Sequence, residues 1–484
     1  MKFGGTSVGD ASCISKVASI IRAASAESDI VVVVSAMSGV TNKLIEAALE
    51  SEAGNCAAVD AIFTDLRYRH EIAVDALINS DAERKQIKER MQRHFEEGER
   101  LCKGTMLLGE LTPRTRDAIS SLGERLSAPL LAAVLMEIGV SSESIEATKL
   151  IVTDSYYGSA EPWMDLTREA CGARLDPFLQ QGIVPVVTGF IGANEEGVLT
   201  TLGRGGSDYS ATILGAALDA DEVIIWTDVD GLLTCDPRLV PSASTISEIS
   251  YREAAELAYF GAKVLHPKTL RPVMQRGIPL RIRNTFEPEN PGTKITPTGP
   301  AGSADGVTAI TAIGDAALIT VGGLGLAEAQ DVLGRTFATA AAVRADVLMI
   351  SQSSSQNDVC LVVSAAQAKR TVEALRHEFA HDLVHEKTEH IALDSTVAIV
   401  TVVGQKVRGM AGIVGRTFAA LGRENVDIIA SSHGASECNI SFVVARKDVD
   451  AALIATHQEF QLGALTSPLA ACYYGSQRAT AEAD

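Results

Sequence analysis

The chain opens with a lysine two residues ahead of a glycine pair, in Lys2-Phe3-Gly4-Gly5-Thr6-Ser7. Glycines placed between a short strand and a helix let backbone N–H groups approach an anion, and the helix N-terminus adds favourable partial charge. Lys2 can then set an ammonium on a phosphoryl group. A lone Gly-Gly turn is a weak signal, and no GxxxxGK[ST] phosphate loop occurs anywhere. A second turn, Ser35-Ala36-Met37-Ser38-Gly39-Val40-Thr41-Asn42, follows the most apolar strand-like run. A third, from Thr200 to Tyr209, packs three glycines with Arg204, Ser207 and Asp208. Arg204 suits a carboxylate or phosphate and Asp208 suits an ammonium, so a site offering both matches an amino acid. A fourth segment, Trp226-Thr227-Asp228-Val229-Asp230-Gly231, continues to Asp236-Pro237-Arg238. It leaves a strand for a turn, the usual place for nucleotide contacts at the edge of a parallel sheet.

The elements that must position these turns read as α/β. Ile30 to Ser35, Ile183 to Phe190 and Val223 to Trp226 are continuous apolar runs, as a mostly parallel sheet covered by helices requires. Residues 80–103 carry alternating charges and read as an exposed helix. Residues 1–295 form one large domain with a mostly parallel central sheet. Pro288, Pro291, Pro297 and Pro300 mark a linker by their turn chemistry, assigned to 296–307. Beyond it the chain repeats. Gly334-Arg335-Thr336-Phe337 returns as Gly415-Arg416-Thr417-Phe418, an offset of 81, and Glu378-Phe379 returns as Glu459-Phe460 in the same register. Each copy reads as a βαββαβ unit, over 308–390 and 391–472, followed by a C-terminal tail over 473–484 that is expected to fray from about Gln477.

Composition narrows the class. The 484 residues carry a net charge of −19, which argues against a nucleic-acid partner. No apolar run approaches a membrane span, and the start lacks an apolar signal region, which points to a cytoplasmic protein. Eight cysteines are scattered without CxxC spacing, as expected of reduced thiols rather than a zinc site.

Taken together, these segments resemble the aspartate kinase branch of the amino-acid kinase family. The likeness runs through Lys2 to Val8, Ser35 to Asn42, Gly123-Glu124-Arg125-Leu126-Ser127, Val187 to Phe190 and Gly203 to Asp208. It continues through Thr227 to Arg238, Phe260 to Pro267 and Asn284-Thr285-Phe286, and the repeats look like paired ACT regulatory domains. The resemblance implies ATP-dependent phosphorylation of the aspartate β-carboxylate, with Mg²⁺ on the ATP phosphates. It implies that Lys2, Gly4 and Gly5 stabilise the phosphoryl group in transit. Ser35, Thr41 and Ser207 would contact substrate, Glu124 and Asp208 would hold the aspartate ammonium, and Arg204 its α-carboxylate. Thr6, Ser7, Thr227, Asp228, Leu233, Asp236, Arg238 and Lys263 would line the ATP site. Two departures stand out. Leu233 occupies a position where the family often has Tyr, and only Met1 precedes Lys2, which shortens the first strand and is expected to weaken the hold on that lysine.

The ACT resemblance implies a homodimer or homotetramer under feedback control by an end-product amino acid, threonine in preference to lysine. The expected effector residues are Gln352, Ser354 and Asn357, with His433 where the second copy departs from Gln352. No fused dehydrogenase is expected, so the enzyme reads as monofunctional. The alternatives are another kinase of the same fold or a non-catalytic amino-acid sensor. The literal HExxH at His377 to His381 reads as the terminal helix of a repeat rather than a metal site, because its counterparts at 458 and 462 are Gln and Leu.

Overall fold

The computed structural model describes residues 1–261, 265–300, 306–322, 329–352, 358–385, 388–405, 407, 412–432 and 438–463. The chain divides into two compact units. One comprises Met1–Leu232, Ser247–Tyr251 and Lys263–Gly299, and the other comprises Leu233–Ile246, Arg252–Ala262 and the chain from Pro300 onward.

The first unit is built on β1 (Lys2–Phe3), β2 (Val32–Val34), β3 (Ser142–Ile145), β4 (Val184–Thr188), β7 (Val223–Thr227), β8 (Glu248–Ser250), β9 (Leu280–Asn284) and β10 (Thr293–Thr296), with a separate ribbon of β5 (Ile191–Ala193) and β6 (Leu199–Thr201). The sheet order is β3-β4-β2-β1-β7-β9-β10-β8, and every pairing is parallel except β9 with β10. These are the strands expected from the apolar runs, and helices on both faces bury them as a parallel sheet demands. The charged segment after Ser80 is the helix Asp81–Leu108, capped by the Ser80 side chain and ended by Gly109 at φ +66°.

Two expectations need correction here. The prolines from Pro288 to Pro300 enclose β10, of which only Thr296 falls in the assigned linker, and Thr293 and Ile295 alternate inward between the partners on either side and are both fully buried. The first strand is only two residues long, as expected, yet it is not loosely held. It sits between β2 and β7, Phe3 is fully buried, and its ring stacks on Trp226 at 6.0 Å. Helical residues Pro113–Glu137 are apolar and long enough to cross a membrane. However, 83% of the window is buried inside the fold, the mark of a core helix.

The second unit carries β11 (Ala309–Gly322), β12 (Val347–Gln352), β13 (Asp358–Ser364), β14 (His390–Val403), β15 (Ala430–Ser432) and β16 (Asn439–Ala445) in the order β12-β13-β11-β14-β16-β15. The two repeats share their long strands reciprocally. Ala316–Gly322 of β11 pairs with β13 and with the first half of β14, while Ala309–Ile313 pairs with Ile399–Val403. Residues at the start of the first repeat therefore supply the fourth strand of the second repeat, and Val307 and Ile310 pack with Val400 and Phe442.

The offset of 81 is visible in three dimensions. Arg335 bonds Glu378 Oε1 at 2.8 Å and lies over Phe379 at 4.3 Å. Arg416 bonds Glu459 Oε1 at 3.0 Å and lies over Phe460 at 4.6 Å. This arrangement also accounts for the HExxH. Glu378 ends one helix, Phe379 is buried, and His381 belongs to the next short helix.

Candidate active site

Lys2 lies on the innermost strand, and the turns after β1, β2 and β7 leave the same edge of the sheet. Sequence neighbours diverge at this edge, which is where α/β sheets bind ligands. The Lys2 ammonium is 2.5 Å from Asp208 Oδ1, with both side chains mostly buried. Asp208 is in the first turn of the helix Gly206–Ala217, which starts after Gly205 at φ +69°. The approach there is close. A Cβ on Gly206 would come 2.6 Å from the Phe190 ring, and one on Gly189 would come 2.7 Å from Ser207 Oγ.

Two cavities meet at Lys2. One, of about 480 Å³, is walled by Lys2, Ser35, Thr41, Arg204, Ser207 and Asp208. The other, of about 430 Å³, is walled by Lys2, Gly4, Gly5, Thr6 and Thr227, and shares Ser35, Thr41 and Asp208 with the first. Of the sequence-derived residues, Lys2, Gly4, Gly5, Thr6, Ser35, Thr41, Arg204, Ser207, Asp208 and Thr227 line these two adjoining chambers, and Glu124 lines neither. A Cβ on Gly5 would sit 3.1 Å from the Ala36 carbonyl oxygen, a tight approach that glycine avoids. Gly4 spends its N–H on the Trp226 carbonyl at 3.1 Å, tying β1 to β7 rather than facing a ligand. Ser7 is likewise fully buried, with its hydroxyl 2.7 Å from that of Thr285.

Glu124 is buried in the helix Leu122–Glu137, and one carboxylate oxygen lacks a hydrogen-bond partner. Burial pushes its pKa up to about 8, against the opposing pull of the Ala36 backbone hydrogen bond and the Lys2 charge. An orphaned buried carboxylate costs free energy until a cation reaches it. Arg204 is exposed on the cavity wall, without an ion pair or hydrogen bond among the described residues.

The remaining predicted residues are distributed otherwise. The Thr227 hydroxyl donates to Asp228 at 3.1 Å at the end of β7. Leu233, Asp236 and Arg238 belong to the second unit, where Arg238 Nη2 bonds Asp236 Oδ2 at 2.6 Å. Lys263 lies outside the described residues, as do Ser354, Asn357 and His433, while Gln352 is exposed at the end of β12. Sequence reasoning missed Arg116, Asp117 and Phe190, which also line the larger cavity. Phe190 was read as the end of an apolar strand-like run and of a family-like segment but given no role, yet it lies between β4 and β5 at φ +71°, a costly conformation for a bulky residue and one that clusters at functional sites.

The amino acid kinase family model matches residues 1–284, and an ACT domain model matches 319–379 and 400–460. Aspartokinase 1, chloroplastic, of Arabidopsis thaliana is 34% identical over 474 residues, covering 95% of this chain and 79% of that protein. The chain belongs to the amino acid kinase family, in its aspartokinase branch. The same branch includes the bifunctional aspartokinase/homoserine dehydrogenase 1, chloroplastic, of Arabidopsis thaliana, 34% identical over 96% of this chain. The chain spans about half the length of such bifunctional relatives, 51% in that case. Among solved structures, E. coli aspartokinase III in complex with aspartate and ADP aligns with a TM-score of 0.79 at 29% identity, over 95% of this chain and 98% of that one. The same enzyme in complex with lysine and aspartate aligns at 0.77 and 30%, with the same coverage.

Proposed function

We propose that this aspartokinase-branch chain phosphorylates the β-carboxylate of L-aspartate with ATP, giving 4-phospho-L-aspartate and ADP, the first step towards lysine, threonine, methionine and isoleucine. The observation that carries the reading is the position of Lys2 on the wall of both chambers. The larger chamber offers Arg204 for the α-carboxylate, and the buried Glu124 is the counter-charge for the ammonium. The glycine-lined chamber suits the phosphates of ATP, which brings Mg²⁺ as part of the substrate complex. The β-carboxylate is already ionised, so its oxygen attacks the γ-phosphorus without a general base. The bond to the bridging oxygen breaks, and ADP leaves with the electron pair. Catalysis is then positioning plus neutralisation of developing charge by Lys2.

An ATP-dependent hydroxamate assay comparing aspartate with glutamate tests this, because hydroxylamine traps an acyl phosphate. Aspartate-dependent hydroxamate is expected, and equal turnover of glutamate or none of either overturns the reading.

The ACT repeats are proposed to bind threonine in preference to lysine and to pair into a homodimer or homotetramer. The amide of Gln352 and the serines that follow it in sequence suit a small hydroxylated ligand. Inhibition at millimolar lysine but not threonine would reverse that preference.

A further inference from the structure

We propose that Arg116 is a second substrate-anchoring cation, acting with Arg204 on the α-carboxylate of the amino acid; this rests on the aspartate reading above. Arg116 and Asp117 are consecutive in the helix Pro113–Ser120, and both side chains reach the loop at Gly158. Asp117 is buried and accepts from Gly158 N at 2.8 Å, Thr201 N at 2.9 Å and Thr201 Oγ1 at 2.9 Å. That grip ties the helix to the loop at Gly158 and to β6, the strand that runs into Gly203 and Arg204. The Arg116 guanidinium lies over the same Gly158. A Cβ there would come 2.9 Å from Arg116 Nη2, and Gly158 sits at φ +84°, so glycine clears the space the guanidinium occupies.

The guanidinium lines the same 480 Å³ cavity as Arg204, and it too lacks an ion pair or hydrogen bond among the described residues. Charge balance points the same way. The cavity wall carries three cations (Lys2, Arg116, Arg204) against two carboxylates (Asp117, Asp208). Without Arg116 the wall would be neutral; with it, one net positive charge faces the substrate carboxylates, the ammonium being assigned to Glu124, which lies outside this lining.

The test is steady-state kinetics of Arg116→Gln and Arg116→Lys with L-aspartate and with its α-amide. Arg116→Gln is expected to raise the aspartate KM about tenfold, the scale of one charge-assisted contact, with kcat falling by less than KM rises. Its preference for aspartate over the α-amide should fall by the same factor, and the dependence of the aspartate KM on ionic strength should weaken. Arg116→Lys should lie between the two, because it keeps the charge but not the planar fork. An aspartate KM within twofold of wild type, or an undiminished preference over the α-amide, overturns the proposal. If Arg116→Gln fails to fold, Arg116→Lys carries the test on the same two readouts. A wild-type enzyme that does not turn over aspartate defeats the functional reading instead, a result distinguishable from a variant that behaves like an active wild type.

Discussion

The ammonium of Lys2 and the carboxylate of Asp208, 206 positions apart in the chain, form an ion pair at 2.5 Å at the junction of two cavities. Helix Gly206–Ala217 thereby ties the lysine through the carboxylate in its first turn. Breaking such a pair leaves a carboxylate with little water around it. Lys2→Met is expected to lower kcat by roughly 10²–10³, about 3–4 kcal/mol of transition-state stabilisation, while the sheet persists. Hydroxamate turnover together with circular dichroism checks both halves, and unchanged turnover would remove Lys2 from the mechanism.

Glu124 yields a prediction with a defined sign. Its pKa rises from 4.5, the ordinary value for a glutamate carboxyl, to about 8 in the fold because burial disfavours the charged form. Between those values the folded protein keeps a proton that the unfolded chain has lost, so this group's contribution to stability falls as pH rises through the window. Glu124→Gln should therefore melt higher than wild type at pH 8 and show no advantage near pH 4.5. An aspartate ammonium would favour the ionised form, so binding at pH 7 should release close to one proton. Calorimetry in buffers of different ionisation enthalpy reads that number directly, and zero release would remove Glu124 from the ammonium site.

The fold was legible where apolar periodicity is strong, and it was lost where partners are distant in sequence. The runs at Val32–Val34, Val184–Thr188 and Val223–Thr227 announce a buried parallel sheet. Proline and glycine around Thr293 masked a strand, because local turn chemistry speaks louder than two inward-facing residues. The reciprocal use of β11 was hidden for a related reason, since no local signal says that Ala309–Ile313 pairs with Ile399–Val403. At the site, glycine-rich turns carried the signal for Lys2, Gly5 and Arg204. Arg116 and Asp117 lie on an unremarkable helix of mixed polarity, and only the fold brings them to Gly158 and Thr201.

The duplicated arginines should behave alike. Arg335 and Arg416 each clamp the C-terminal end of the facing helix through a carboxylate, a backbone carbonyl and an aromatic face. Replacing either with methionine keeps the apolar stem but removes the fork and the cation–π contact, so each should cost roughly 1–3 kcal/mol. Urea unfolding of the two single variants checks this, and a neutral Arg416→Met would show the clamp to be incidental in the second repeat.

Asp117 separates a geometric role from an electrostatic one. Its Oδ2 accepts two backbone N–H groups while Oδ1 accepts only the Thr201 hydroxyl. Asparagine can reproduce this pattern, with its oxygen facing the two amides and its NH₂ donating to the hydroxyl. Alanine cannot, and would leave two buried N–H groups unpaired. Asp117→Ala should therefore lose about 2–4 kcal/mol of stability and most of the activity, as the Gly203–Arg204 turn loses its tie to the Gly158 loop. Asp117→Asn should keep the fold, and by removing a negative charge from the cavity wall it should lower the aspartate KM. Thermal melts and aspartate titrations of the two variants decide the matter. A raised KM in the folded asparagine variant would mean that the carboxylate's charge is itself required, through its neighbour Arg116.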